Sequence, residues 1–299
     1  AQASYPNKPV KIVVGFPPGV AGDVIPRVMA PKLAEALGQQ VLVENRPGAG
    51  SSTAAEAVAR SPADGYTLYV GSIANSVNQS LYKLSFDFVT DLAPISMLAD
   101  VPGLLVAHPS VPATLRELIA AAKVKPGEFA YGSSGKGTAT HLYGELLGLA
   151  TGAKFTHVPY KGSSQTVIDL LAGRLQLMFT PGNIVIPHVK AGKLNAFAAV
   201  GRQRMSALPE IPTFGEIGIA GYESAFWFGL NAPSGTPKPI IERLNRDTVR
   251  VLGLAEVRAQ LTAQSIDPVS SSTESYGAFI LQDIEKWVRV VKAAGVKAD

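Results

Sequence analysis

No cysteine occurs among the 299 residues, which excludes disulfides, thiolate metal sites and a cysteine nucleophile. A chain of this length can bury a core without such staples, so the absence does not choose a redox compartment. No stretch reaches the ~18 consecutive apolar residues of a membrane-spanning helix. Charge is sparse: 17% of residues are charged and the balance is +4. With no basic run and 7% aromatics, the electrostatic footprint of a nucleic-acid binder is missing. The four histidines, at 108, 141, 157 and 188, include no pair at helical ligand spacing, so neither a metal nor another cofactor is expected. A phosphate-binding Walker loop fails as well, because Lys136 is followed by Gly137 and the position five before Gly135 is Ala130. The dinucleotide fingerprint fails because Gly48-Ala49-Gly50 leads to Thr53 where a third glycine belongs. Ser133 and Ser134 lie in Gly-Ser-Ser-Gly rather than in a nucleophile elbow. His141 alone tempts a catalytic reading, and a histidine there more commonly supports a loop through hydrogen bonds.

What is present is a 46% hydrophobic chain long enough for two lobes. Short β-branched runs alternate with helical patterns, which predicts α/β lobes whose sheets are covered by helices. Expected strands are 11–16, 41–43, 67–70, 103–107, 175–179 and 196–200. Expected helices are 24–37, ending at Gly38, then 53–60, 115–122, 138–149 and 167–171. Pro26 is placed in a first helical turn and Pro31 mid-helix, where it should kink or delay the helix. In the helical tail, Thr236 is expected to cap and Pro237 to open one helix. Ser271 with Glu274 reads as a capping box, ahead of an apolar face of Tyr276, Ile280, Ile284, Trp287 and Val291. Runs near 99–106 and 224–231 suit crossovers, giving lobe one as 1–101 plus 226–299 and lobe two as 102–225. The opening Ala1-Gln2-Ala3-Ser4-Tyr5-Pro6 has the small-residue look of the end of a secretory signal.

Ligands of open α/β sheets sit where strand ends meet helix starts. Four such loops are unusual in composition. Gly15-Phe16-Pro17-Pro18-Gly19-Val20-Ala21-Gly22-Asp23 combines glycines for close backbone approach with stiffening prolines, ahead of a helix N-terminus. Asp23 reads as a helix N-terminal cap rather than a general base. Gly132-Ser133-Ser134-Gly135-Lys136-Gly137-Thr138 offers hydroxyls, amides and a lysine to a carboxylate. Gly71-Ser72-Ile73-Ala74-Asn75 and Thr180-Pro181-Gly182-Asn183 repeat the short polar theme. Taken singly, each is also an ordinary turn.

The residues then carry a resemblance. Phe16-Pro17-Pro18-Gly19 with Asp23, Glu44-Asn45-Arg46-Pro47-Gly48, Asp64-Gly65-Tyr66-Thr67, Thr138 with His141, His157-Val158-Pro159-Tyr160-Lys161-Gly162, Trp227-Phe228-Gly229-Leu230 and Pro233-Ser234-Gly235-Thr236-Pro237 together resemble the Bug receptors of tripartite tricarboxylate transporters, in order along the whole chain. That resemblance implies a two-lobed fold like the type II periplasmic binding proteins, with a ligand cleft between lobes that close on a small carboxylate. It implies a periplasmic, monomeric receptor, secreted through a cleaved signal, which delivers its solute to membrane transporter subunits. It assigns Phe16, Gly19, Val20, Ala21, Gly22 and Asp23, with Ser133, Ser134, Gly135, Gly137 and Thr138, to one ligand carboxylate, partly through bridging waters. Ser72, Asn75, Thr180 and Asn183 would meet the variable end.

Two departures from the family pattern bear on the ligand. The first loop reads Gly19-Val20-Ala21-Gly22-Asp23 where Gly-Gly-Gly-Thr-Asp is common, and Thr180 stands where an acidic residue is frequent. An acidic residue there could pair with an ammonium, so a dicarboxylate or an aromatic carboxylate is favoured over an amino acid. Two other purposes stay open at this point: a ligand-presenting subunit for a membrane sensor kinase, and an enzyme on the same scaffold.

Overall fold

The computed structural model describes residues 5–223 and 225–297; the small-residue start at Ala1–Ser4 lies outside them. The chain divides into two compact units, 1–100 with 227–286 and 101–226 with 287–299, and passes between them at 100/101, 226/227 and 286/287. The sequence-drawn lobes differ from these units in the tail. Trp287 onward belongs to the second unit, where the Trp287 ring meets Tyr143 edge-on at 5.2 Å.

The first unit holds β1 (Val10–Val14), α1 (Ala21–Leu37), β2 (Val41–Asn45), α2 (Ser52–Ala59), β3 (Thr67–Ser72), α3 (Ile73–Leu81) and most of β4 (Leu92–Val101). The second unit follows with β5 (Gly103–Ala107), α4 (Leu115–Val124), β6 (Ala130–Ser133), α5 (Ala139–Thr151), β7 (Thr156–Pro159), α6 (Ser163–Leu171), β8 (Leu177–Pro181), α7 (Gly182–Lys190) and β9 (Asn195–Val200). The chain then returns through β10 (Phe226–Pro233) to α8 (Lys238–Leu252), α9 (Ala255–Thr262), β11 (Asp267–Pro268) and α10 (Thr273–Ala294).

Each unit is built on a mixed sheet. The first runs β11-β4-β10-β3-β1-β2, with β1 parallel to β2 and β3, and β10 antiparallel to β3. The second runs β7-β6-β8-β5-β9, with β6 parallel to β7 and β8, and β5 antiparallel to both β8 and β9. The two orders repeat one plan. A central parallel strand (β1 or β6) lies between two others, and an antiparallel strand lines the far side of the third. The loops after β1 and β6 are therefore equivalent, as are those after β3 and β8.

Val10, Ile12, Val13 and Val14 are buried, as a strand covered on both faces requires. Ile25, Met29, Leu33 and Leu37 bury one stripe of α1, and the helix ends on left-handed Gly38, φ +71°. In the second unit Leu104, Val106, Leu170, Leu175, Met178 and Val185 share one core.

Several local expectations are corrected. Pro31 lies mid-helix in α1 as expected, but Pro26 sits beyond the first turn because the helix starts at Ala21. Thr236 does not cap α8; its hydroxyl donates to the Pro233 carbonyl at 2.7 Å, and Pro237 holds the cap position with no side-chain bond. Ser271 is bound into the sheet instead, exchanging hydrogen bonds with Ser96 and Met97, and Ser272 accepts the Ser275 N–H at 3.1 Å. The segments 73–75 and 182–183, expected as loops, are the first turns of α3 and α7.

Candidate functional site

The loop after β1 is held from below by one carboxylate. Asp23 is the third residue of α1, not its cap; Val20 occupies the cap position with extended backbone and no side-chain bond. Asp23 is 2% exposed. Its Oδ2 accepts the Gly19 N–H at 2.9 Å, four residues back. Its Oδ1 accepts Arg27 Nε at 2.8 Å and Asn45 Nδ2 at 2.7 Å. Burial alone would raise the Asp23 carboxyl, but the bonds from Asn45, Gly19 and Arg27 outweigh it and hold the group below its ordinary range. Asn45 also donates to the Phe16 carbonyl at 3.0 Å, tying the start of the loop to β2. The Phe16 ring lies edge-on to Phe228, 5.9 Å between centroids. Gly22 is required there, since a Cβ would come within 2.7 Å of Phe16 Cδ2 and 2.9 Å of Phe228 Cε1. Gly19 has φ +87°, and Val20 is 43% exposed.

The loop after β6 is held by hydroxyls and histidines. Thr138 caps α5, accepting the His141 N–H at 3.4 Å, while its hydroxyl donates to the Gly135 carbonyl at 2.7 Å. Thr140 is buried; its Oγ1 accepts the Ser134 N–H at 2.9 Å and lies 3.0 Å from Ser134 Oγ and 2.9 Å from Thr138 Oγ1. Ser133 is fully buried, donating to the Gly135 carbonyl and accepting the Gly135 N–H. The three candidate hydroxyls, of Ser133, Ser134 and Thr138, thus shape the loop itself. Gly137, at φ +72°, donates its N–H to His141 Nδ1 at 2.9 Å, so His141 does support the loop. Ser133 Oγ lies 2.7 Å from His157 Nε2. That is a nucleophile-to-base distance, but the serine has no exposed surface and its hydroxyl already exchanges bonds with Gly135.

Beneath this loop the His141 and His157 rings stack at 3.7 Å and 11°. Tyr131 stacks on His157 at 5.0 Å, and its hydroxyl donates to Glu145 Oε1 at 2.6 Å. Burial chiefly, then the neighbouring His141, pushes His157 down to about 4, against an opposing pull from Glu145. Burial would raise Glu145, yet its bonds to His141 and Tyr131 leave it below the ordinary carboxylate range.

The other two strand ends are simpler. Ser72 caps α3, its Oγ accepting the Ala74 N–H at 3.3 Å, and its own N–H donates to Asn75 Oδ1 at 3.0 Å. Tyr69 also donates to Asn75 Oδ1, at 3.0 Å, and burial pushes that phenol up to about 12. Asn75 Nδ2 and Thr180 Oγ1 are buried with no partner among the described residues. Asn183 is exposed in the first turn of α7.

Thr140, His157, Tyr131, Asn45 and Arg27 were not among the sequence candidates. The hydrogen bonds of His157 to Ser133 and of Asn45 to Asp23 span 24 and 22 positions, and no local pattern signals such pairings. Among the described residues no group of three His, Asp or Glu is arranged to hold a metal, and no helix is long and apolar enough to cross a membrane.

Residues 25–296 match the family described as tripartite tricarboxylate transporter family receptor. The chain belongs to that family. The receptor is similar to Protein BugT of Bordetella pertussis, at 38% identity over 98% of this chain and 91% of BugT. It is similar to the solved structure of Rpa4515 from R. palustris with adipate, at 34% identity and TM-score 0.85, covering 98% of this chain and 99% of that one. MatC from Rhodopseudomonas palustris with bound malate aligns at 29% identity and TM-score 0.81, over 96% and 100% of the two chains. The fold is that of periplasmic binding proteins, and the family is one of solute receptors rather than enzymes.

Proposed function

We propose that this receptor captures a small dicarboxylate in the periplasm and delivers it to the membrane subunits of a tripartite transporter. The observation that carries the reading is the pair of equivalent loops after β1 and β6. In each, the third helical residue reaches back to a glycine N–H and shapes the chain ahead of a helix N-terminus. The first amides of a helix have no carbonyl partner one turn earlier. The N–H groups of Ala21 and Gly22, and of Ala139 and Thr140, are therefore the proposed anion donors, in preference to the hydroxyls of Ser133, Ser134 and Thr138. Charge-assisted bonds of this kind contribute about 1.5–3 kcal/mol each. Three or four, less the cost of ordering, reach the roughly −8 kcal/mol of a micromolar site. Phe16, Gly19 and Val20, with Gly135 and Gly137, would shape that end. Asn75 and Thr180, each with an unpartnered buried polar atom, would meet the far carboxylate directly or through water, flanked by Ser72 and Asn183. Binding of adipate and malate by relatives supports a dicarboxylate over an aromatic acid.

A thermal-shift panel of mono-, di- and tricarboxylates, aromatic acids and acidic amino acids tests this. Ligand at about 100 times its dissociation constant should add about 2.7 kcal/mol and raise the midpoint by several degrees. A response confined to aspartate or glutamate would overturn the ligand class. If no acid shifts the midpoint, and mass spectrometry of the denatured protein finds no bound acid, the receptor reading itself fails.

A further inference from the structure

His141 does more than fill space beneath the loop after β6. Gly137 donates to Nδ1 at 2.9 Å, so that nitrogen carries no proton and a neutral ring must carry its proton on Nε2. Nε2 in turn faces Glu145 Oε1 at 3.5 Å. Adding a second proton would place an N–H on Nδ1, pointing at the Gly137 N–H. Two donors at that separation repel, so the imidazolium form cannot keep the Gly137 bond. The stacked His157 ring leaves no lateral room for compromise at 3.7 Å between centroids.

We propose that His141 is the positioning residue for the carboxylate loop of the second unit, and that it holds the loop only while its ring is neutral. The loop is then a proton-sensitive latch: acid releases Gly137, and carboxylate capture weakens with it. The groups that set the titration all lie close by. They are Glu145 on α5, whose Oε1 lies 3.5 Å from Nε2, the stacked His157 on β7, Lys136 beside Gly137 in the loop, and Tyr131 on β6, which donates to the same Glu145 oxygen. His157 reinforces the hold through Ser133, whose hydroxyl is bonded to both the N–H and the carbonyl of Gly135. The weakening of capture rests on the carboxylate reading above; the latch itself does not.

The test is a titration of isotope-labelled, ligand-free receptor by NMR, from pH ~7.5 to ~4.5. The Gly137 amide should shift with the same midpoint as the His141 ring. Its hydrogen exchange, corrected for intrinsic rate, should accelerate by about tenfold, the factor set by losing one ordinary hydrogen bond. In His141→Asn the side-chain oxygen takes the place of Nδ1 and does not titrate, so the Gly137 amide should stay fixed. A Gly137 amide that ignores the His141 titration in the wild-type protein overturns the latch, as does the same shift persisting in H141N. In parallel, affinity for adipate should fall about tenfold more over this range in wild type than in H141N, which corrects for protonation of adipate itself. Equal losses would overturn the gating of capture. If neither adipate nor malate binds at any pH, the dicarboxylate reading falls, while the ligand-free titration still decides the latch.

Discussion

The loops after β1 and β6 solve one geometric problem with different chemistry. In the first unit the helix begins at Ala21, its third residue is Asp23, and the carboxylate reaches back four positions to Gly19. In the second the helix begins at Ala139, its third residue is His141, and the imidazole reaches back four positions to Gly137. Both glycines adopt positive φ, which side-chain-bearing residues resist. The surroundings then diverge. Asp23 is held by Arg27 and Asn45, whereas His141 stacks on His157 and works beside a network of threonine and serine hydroxyls. A carboxylate acceptor survives to low pH, whereas an imidazole nitrogen ceases to accept once the ring takes a second proton. The same scaffold position thus yields one loop indifferent to mild acid and one responsive to it.

The largest way to separate the two is pH. His157 is pushed down to about 4 in the folded protein, against about 6.5 for an unperturbed histidine. Between those values the unfolded chain takes a proton that the folded one refuses, so stability falls as pH falls and flattens below the lower value. The loss from this group is about 3 kcal/mol at most. Asp23 loses stability in the same direction, but only at lower pH. Its lowered carboxyl contributes stability above the ordinary carboxylate range, lost only as pH drops through the lowered value. Urea midpoints from pH ~7 to ~4, with exchange mass spectrometry on the two loops, should show residues 133–138 loosening well before residues 16–23. Simultaneous loosening would erase the distinction.

Much of this architecture was legible in the sequence, and the exceptions have physical causes. Runs such as Val10–Val14 and Gly103–Ala107 read as strands because burial on both faces demands continuous β-branched or aliphatic residues. By contrast α3, Ile73–Leu81, carries two asparagines, two serines and a glutamine, so its composition imitates a loop. The strand β4 was missed because Pro94 argues against a central position. On its β11 side, pairing is confined to Ala99 and Asp100, at the other end of β4 from Pro94. The candidate loops were recognisable from glycine, proline and hydroxyl content. Which hydroxyls face inward was not, because Thr140 becomes the hub only when the turn folds Ser134 and Thr138 around it. His157 and Asn45 reach their loops from neighbouring strands, a relation that only sheet order creates.

Removing each acceptor should expose the difference in bond strength. Asp23→Ala deletes a buried carboxylate serving Gly19, Arg27 and Asn45, and its charge-assisted bonds should cost about 2–3 kcal/mol. His141→Asn retains a neutral acceptor and should cost about 1 kcal/mol or less. Urea unfolding with unchanged m-values checks both. A D23A cost no larger than that of H141N would mean that the carboxylate contributes little beyond what solvent supplies to its partners.

The smallest effect concerns the cap positions themselves. Thr138 caps α5 with its side chain, whereas Val20 holds the equivalent place on α1 with extended backbone, no cap bond and 43% exposure. Val20→Ser adds an acceptor for the first-turn amides and removes an exposed methyl pair without disturbing a core. It should stabilise the first unit by about 0.5–1 kcal/mol, read as a rise in the urea midpoint. The same hydroxyl would compete for the Gly22 amide, one of those that the proposed function assigns to the ligand. Dicarboxylate affinity should therefore drop or stay level while stability rises. Were V20S to gain both stability and affinity, the anion would be drawing on the side chain at this position, and the two loops would be more alike in use than in construction.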